Sequence, residues 1–316
     1  MLEEIVRRYE QYPLALIGCR ARTKDLAYDV CEYNILLLED DSSNNNIHGY
    51  SSLQEGSANA CKEESYKHMV SDEYIYMDDG SIARIHKVSS RYSSRIVEST
   101  MLMDGMIILN DINGRLSMLE AKIAEVSKRI KRMHARALTV DALFYASNAI
   151  HAKDALEASF LLKSAACSYI EACILFNDSV PMPSHILAQI RAVSDANMST
   201  IMECLGLEQA NRSSTARAIR ALMHILADNY NRLAMMVIRK KLEYLSSMGM
   251  YTDAYTYLCY TCRGLMASKE RGMSLDRKSP AYDMLAIAMN LSSDHVYTSR
   301  LANSLLSICK ARLKTY

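Results

Sequence analysis

The chain has 316 residues, of which 50% are hydrophobic and 23% charged, with a net charge of +1. This is the profile of a globular chain of about two domains. It argues against a strongly electrostatic nucleic-acid binder, and no apolar run approaches the ~18 residues of a membrane span.

Residues 2–11 read as a short leading helix. Its acidic pair, Glu3-Glu4, precedes any apolar block and is unlike a signal peptide. Pro13 ends this helix. Leu14–Ile17 then reads as a buried strand. Gly18-Cys19-Arg20 is a turn that opens a helix over 20–28, and 33–38 is a second strand. Side chains alternate along a strand, so Glu32 and Asn34 share a face. From Glu39 to Asn59 the sequence is polar and aperiodic, which reads as a loop.

Residues 73–77 and 81–88 alternate on either side of Asp78-Asp79-Gly80, a strong hairpin signal. A helix over 93–103 and a strand over 106–109 follow, ended by Asp111-Ile112-Asn113-Gly114. From Arg115 onward the chain reads as helix. Leu116, Leu119, Ile123, Val126, Ile130, Met133 and Ala137 form a heptad seam that suits a bundle interior or pairing with a second chain. Further helices are expected over 139–150, 153–177, 184–205, 214–247, 250–268 and 280–315, with a break near Leu291. Ser184 and Ser213-Ser214 fit helix N-caps. The fold class expected is α+β: a mixed sheet with flanking helices over 1–114, followed by an all-α helical bundle over 115–316.

The passage Gly18-Cys19-Arg20-Ala21-Arg22, a spacer, then Glu32-Tyr33-Asn34-Ile35-Leu36-Leu37 resembles the DNA polymerase β-like nucleotidyltransferases. Their pattern reads Gly-Ser-x-Ala-x-Gly, a spacer, and Asp-x-Asp-Leu-Leu-Val. Asp104-Gly105, the strand after it, and Asp111-x-x-Gly114 are similar to a later passage of that superfamily. The resemblance covers the first 114 residues in patches. It implies nucleoside triphosphate binding at Gly18, Cys19 and Arg20, and Mg²⁺ held by acids at positions 32 and 34. Here those positions are Glu32 and Asn34, and a neutral amide cannot bridge cations as a carboxylate does. The resemblance also implies a third carboxylate in the hairpin's second arm, yet Ile82–Val88 contains no acid. The function it implies is therefore a nucleotidyltransferase-like protein with a degenerate metal site, inactive or weakly active, that binds a nucleotide or a partner. The alternative is a live Mg²⁺-dependent enzyme.

The small-residue helix over 154–166 resembles HEPN-type and kanamycin-nucleotidyltransferase-type helical domains. HEPN ribonucleases pair an Arg with a His a few residues on, and Arg217 with His224, or Arg129 with His134, fits that spacing. This would imply RNA as partner, or a toxin–antitoxin-like protein partner or homodimer. Cys259-x-x-Cys262 has no second ligand pair for zinc and reads as core packing. Nine scattered cysteines fit reduced thiols in a cytoplasm.

Overall fold

The computed structural model describes residues 2–22, 26–39, 70–89, 95–227, 231–270 and 280–315. The chain forms two compact units, Met1–Ile130 and Lys131–Tyr316. The polar loop expected between Glu39 and Asn59 lies, beyond its first residue, outside the described residues.

The first unit contains helix α1 (Leu2–Arg8), strand β1 (Leu14–Ile17), a single helical turn α2 (Cys19–Arg22), and strands β2 (Tyr33–Glu39), β3 (Val70–Tyr76) and β4 (Ile82–Ser89). Helix α3 (Ile96–Met103), strand β5 (Ile107–Asn110) and the start of α4 (Arg115–His151) follow. The five strands form one sheet in the order β3-β4-β2-β1-β5. Strand β2 lies parallel to β4 and antiparallel to β1, while β3 and β5 are antiparallel edge partners, so the sheet is mixed. Ile35–Leu38 are all buried, as a central strand covered on both faces requires. One face packs Leu14, Leu16, Ile35, Leu37 and Ile85 against Ile5 of α1. The other packs Ala15, Ile17, Leu36, Leu38 and Val88 against Met103 of α3 and Leu116, Leu119 and Ile123 of α4.

That second face explains where the units divide. The sequence suggests a boundary at Arg115, where sheet gives way to helix. The first turns of α4 instead belong with the sheet, because the seam residues Leu116, Leu119 and Ile123 bury their side chains on it. Asp111 starts this helix: its carboxylate accepts from the backbone N–H of Leu116 at 2.8 Å and of Ser117 at 3.0 Å. Asn113 and Gly114 turn the chain into α4 with positive φ, the conformation that Asn and Gly tolerate best.

The second unit is all helical: the rest of α4, α5 (Ala155–Phe176), α6 (Ile186–Arg191), α7 (Met198–Leu205), α8 (Arg212–Ala227), α9 (Arg232–Ser247), α10 (Tyr251–Glu270), α11 (Pro280–Ala288) and α12 (His295–Lys314). By length and composition α5 could cross a membrane, which the sequence reading did not anticipate, but 78% of its most apolar window is buried inside the protein. Its Lys163 is buried, and the ammonium donates to the carbonyl of Leu205 at the end of α7. Burial lowers the pKa of that lysine. Cys259 and Cys262 are buried in α10, and burial raises both thiol pKa values.

Two expected helices are divided. The stretch 184–205 breaks between α6 and α7, where the Asp195 carboxylate accepts from the backbone N–H of Asn197 at 2.9 Å and turns the chain. The stretch 214–247 divides at Asn231, whose side chain caps α9 by accepting from Leu233 N–H. Ser213 and Ser214 lie inside α8 rather than capping it. Asn211 takes that role, accepting from the N–H groups of both at 3.0 Å, since an Asx side chain reaches two residues ahead.

These packing relations set two expected stability changes. Leu36→Ala at the sheet centre lowers unfolding free energy by ~2–5 kcal/mol. Asp111→Ala, which strips the cap from α4, lowers it by ~1 kcal/mol. Urea denaturation of the two variants beside the parent checks both values and their order.

Candidate functional site

The site is built where β1 ends. Gly18 has φ +76°, and a Cβ placed there would stand 3.1 Å from Asn34 Nδ2. Glycine thus serves both the backbone angle and the close approach of β1 to β2. Its carbonyl accepts from the N–H groups of Ala21 and Arg22, which closes the turn. Register places Ile17 opposite Asn34 on one side of β2 and Arg84 opposite Asn34 on the other. The expected neighbours Gly18, Cys19, Glu32 and Asn34 are therefore gathered at one end of the sheet.

The Arg20 side chain is spent on backbone carbonyls. Its Nε donates to Cys31 O at 3.0 Å, and one Nη donates to Cys31 O at 2.8 Å and Asp29 O at 2.9 Å. Its guanidinium also lies 4.2 Å from the centre of the Tyr33 ring. Arg20 is thereby bound to the chain that leads into β2 and sets where Glu32 sits. Arg22 acts similarly on α3. One Nη donates to Met101 O at 3.0 Å and Leu102 O at 2.9 Å, and Nε donates to Asp104 O, which satisfies carbonyls at the helix end. Burial lowers the pKa of Arg22, against the opposing pull of Asp104 and Cys19.

Beside Asn34 stands a charged cluster that the motif comparison did not contain. Asp72 on β3 accepts from Arg84 Nη2 at 2.5 Å through one oxygen and meets His86 Nδ1 at 2.7 Å through the other. A carboxylate only accepts, so Nδ1 carries the proton. His86 Nε2 lies 3.2 Å from Asn34 Oδ1. Burial raises the Asp72 pKa, but the bonds from His86 and Arg84 outweigh it and hold this carboxyl well below the usual range. Burial likewise lowers the Arg84 pKa, while Asp72, Tyr74 and Glu32 together raise it further. The coupling to Glu32 places that buried carboxylate within the field of the guanidinium.

Thus the position in register with Asn34 holds Arg84. The acid that does reach the cluster, Asp72, comes from the edge strand and is bonded to two basic side chains. One carboxylate, one amide and one guanidinium do not fit Mg²⁺, which wants several oxygen ligands.

Hairpin pairing across Asp79 is the sequence signal for this cluster. It sets Asp72 opposite His86 and Tyr74 opposite Arg84, and parallel pairing then puts Arg84 beside Asn34. In the second unit, Arg217 and His224 are both exposed on α8. A cavity of about 350 Å³ lies nearby, lined by Arg212, Ala216, Ile219, Ser246 and Tyr251 among others, and neither Arg217 nor His224 lines it.

No protein-family model matches the chain, and no curated protein matches it. Among solved structures it is similar to a nucleotidyltransferase-like protein from Exiguobacterium sibiricum 255-15, at 11% identity and a TM-score of 0.36, over 92% of this chain and 89% of that one.

The Asp72 shift has a definite sign. A folded-state pKa below the ordinary 3.8 means that the unfolded chain takes up the proton first. The stabilisation is then present above about pH 4 and lost as pH falls below it. Urea midpoints between pH 5 and pH 3 are expected to fall more steeply for the parent than for Asp72→Asn. Parallel pH curves would remove the Asp72 network from the account.

Proposed function

We propose that the first unit is a nucleotidyltransferase-like domain that binds a nucleoside triphosphate, or another phosphate-bearing ligand, without a metal and without transferring a nucleotide. The observation that carries this reading is Arg84 in register with Asn34. A guanidinium there repels a divalent cation and attracts the phosphate that the cation would otherwise hold. Two further features support it. Arg84 keeps donors beyond the one spent on Asp72, and its buried Nε has no hydrogen-bond partner among the described residues. Gly18 opens a turn whose backbone N–H groups suit phosphate oxygens. Glu32 remains as the acid closest in sequence to the ancestral pattern, and it helps hold Arg84 charged. In this reading the protein works in the cytoplasm as a nucleotide-responsive binding module, and the helical unit serves a protein partner, a second copy or RNA.

Calorimetric titration with ATP, GTP, CTP and UTP, with Mg²⁺ and with excess chelator, tests the proposal. Binding is expected to survive chelation and to weaken at least about tenfold, or ~1.4 kcal/mol, in Arg84→Gln. Binding that requires Mg²⁺ and vanishes in Glu32→Ala would overturn it in favour of a live metal-dependent enzyme. A second expected outcome concerns Asn34. In the parent background, Asn34→Asp gains no Mg²⁺ affinity, because Arg84 and His86 neutralise the new carboxylate. Combined with Arg84→Gln, the same change gains about tenfold over either single variant, as isothermal titration with MgCl₂ would show.

A further inference from the structure

Cys19 and Cys31 stand on either side of the segment that separates the Gly18 turn from Glu32. Both are buried, and neither is in a disulfide. Their sulfur atoms lie within 4.8 Å of each other. Arg20 draws the two ends together from the backbone side, since it follows Cys19 directly and donates twice to the carbonyl of Cys31. The Arg22 guanidinium is near enough to Cys19 to couple with it electrostatically, and a neighbouring cation favours the thiolate that reacts with oxidants.

We infer that Cys19 and Cys31 form a peroxide-sensitive dithiol which closes to a disulfide and fixes the turn that opens the candidate site. The step balances with hydrogen peroxide as the oxidant. The Cys19 thiolate attacks one peroxide oxygen, the O–O bond breaks, and the departing hydroxide takes a proton to become water. This leaves a sulfenic acid on Cys19. The Cys31 thiolate then attacks the Cys19 sulfur, the S–S bond forms, the S–O bond breaks, and a second water leaves. Two thiols are oxidised by two electrons and one peroxide is reduced to two waters. The sulfurs must close from within 4.8 Å to the ~2 Å of a disulfide, a shift that side-chain rotation and a small loop movement can supply.

Selectivity follows from surroundings. All these thiols are buried; in the helical unit those of Cys173, Cys204 and Cys309 are pushed up to about 12, whereas Cys19 has the Arg22 guanidinium as a neighbour, and a cation there favours the reactive thiolate. The link would tie the residue after Gly18 to the residue before Glu32, so the spacing of the site would no longer relax. This device goes beyond nucleotide binding and does not depend on it.

The test uses the full chain. The protein is treated with a small excess of hydrogen peroxide, alkylated, digested and analysed by mass spectrometry. The expected product is a peptide pair joined through Cys19 and Cys31, lighter by two hydrogens and released by dithiothreitol. The oxidised parent melts at a higher temperature than the reduced parent, and reduction reverses the shift. Cys31→Ser instead leaves Cys19 as a sulfenic acid that dimedone traps. Both thiols alkylated in the treated parent, or cysteines of the helical unit linked in equal yield, would overturn the inference. The parent measurement alone decides this should the serine variant fail to fold.

Discussion

One carboxylate, Asp72, holds the candidate site in its present state. It accepts from Arg84 through one oxygen and from His86 through the other, so two basic side chains on the neighbouring strand are fixed on the face that Asn34 shares. A bidentate carboxylate in a partly buried setting orients its partners more firmly than either pair would alone. Around it the rest is constrained. Gly18 must be glycine to approach Asn34, Asn34 faces His86, and Glu32 lies in the field of Arg84. A divalent cation would have to displace this network, whereas an anion would meet donors already in place.

The arginines divide into two kinds, and the division separates architecture from recognition. Arg20 and Arg22 spend their guanidinium groups on backbone carbonyls and act as clamps on the loop before β2 and on the end of α3. Lys163 does the same for α7 in the helical unit. Arg22 and Lys163 reach carbonyls at helix ends, which need donors from somewhere. Arg84 differs in that its partner is another side chain, its Nε lacks a partner among the described residues, and it sits in register with Asn34. Position in the sheet, rather than residue type, sets it apart.

Much of the first unit was legible because it follows local rules. The hairpin was readable over 73–88 from Asp79-Gly80 and alternation, and strands β1, β2 and β5 from short apolar runs beside turn residues. The same rules carried less far in the helical unit. Asp195 and Asn231 interrupt stretches that read as continuous helix, because a side chain that competes for a backbone N–H leaves no trace in hydrophobic periodicity. Asn211 displaced Ser213 and Ser214 as a cap for a related reason, since several residues in a row could serve and only the backbone path selects one. The partners of the Arg20 side chain are carbonyls about ten residues on, and no motif records a contact with backbone.

The sequence by itself determined that a sheet of short strands precedes a long helical region, that Glu32 and Asn34 share one face of the second strand, and that Ile82–Val88 holds no acid. These follow from periodicity, turn chemistry and residue identity, which are local properties. The tertiary structure decided which side chains stand beside Asn34. Only strand order makes β4 the parallel neighbour of β2 and brings Arg84 beside Asn34, and only the edge position of β3 brings Asp72 to both basic residues. Pairing between strands distant in the chain depends on how the whole sheet buries its two faces, and that choice is not written in any one segment.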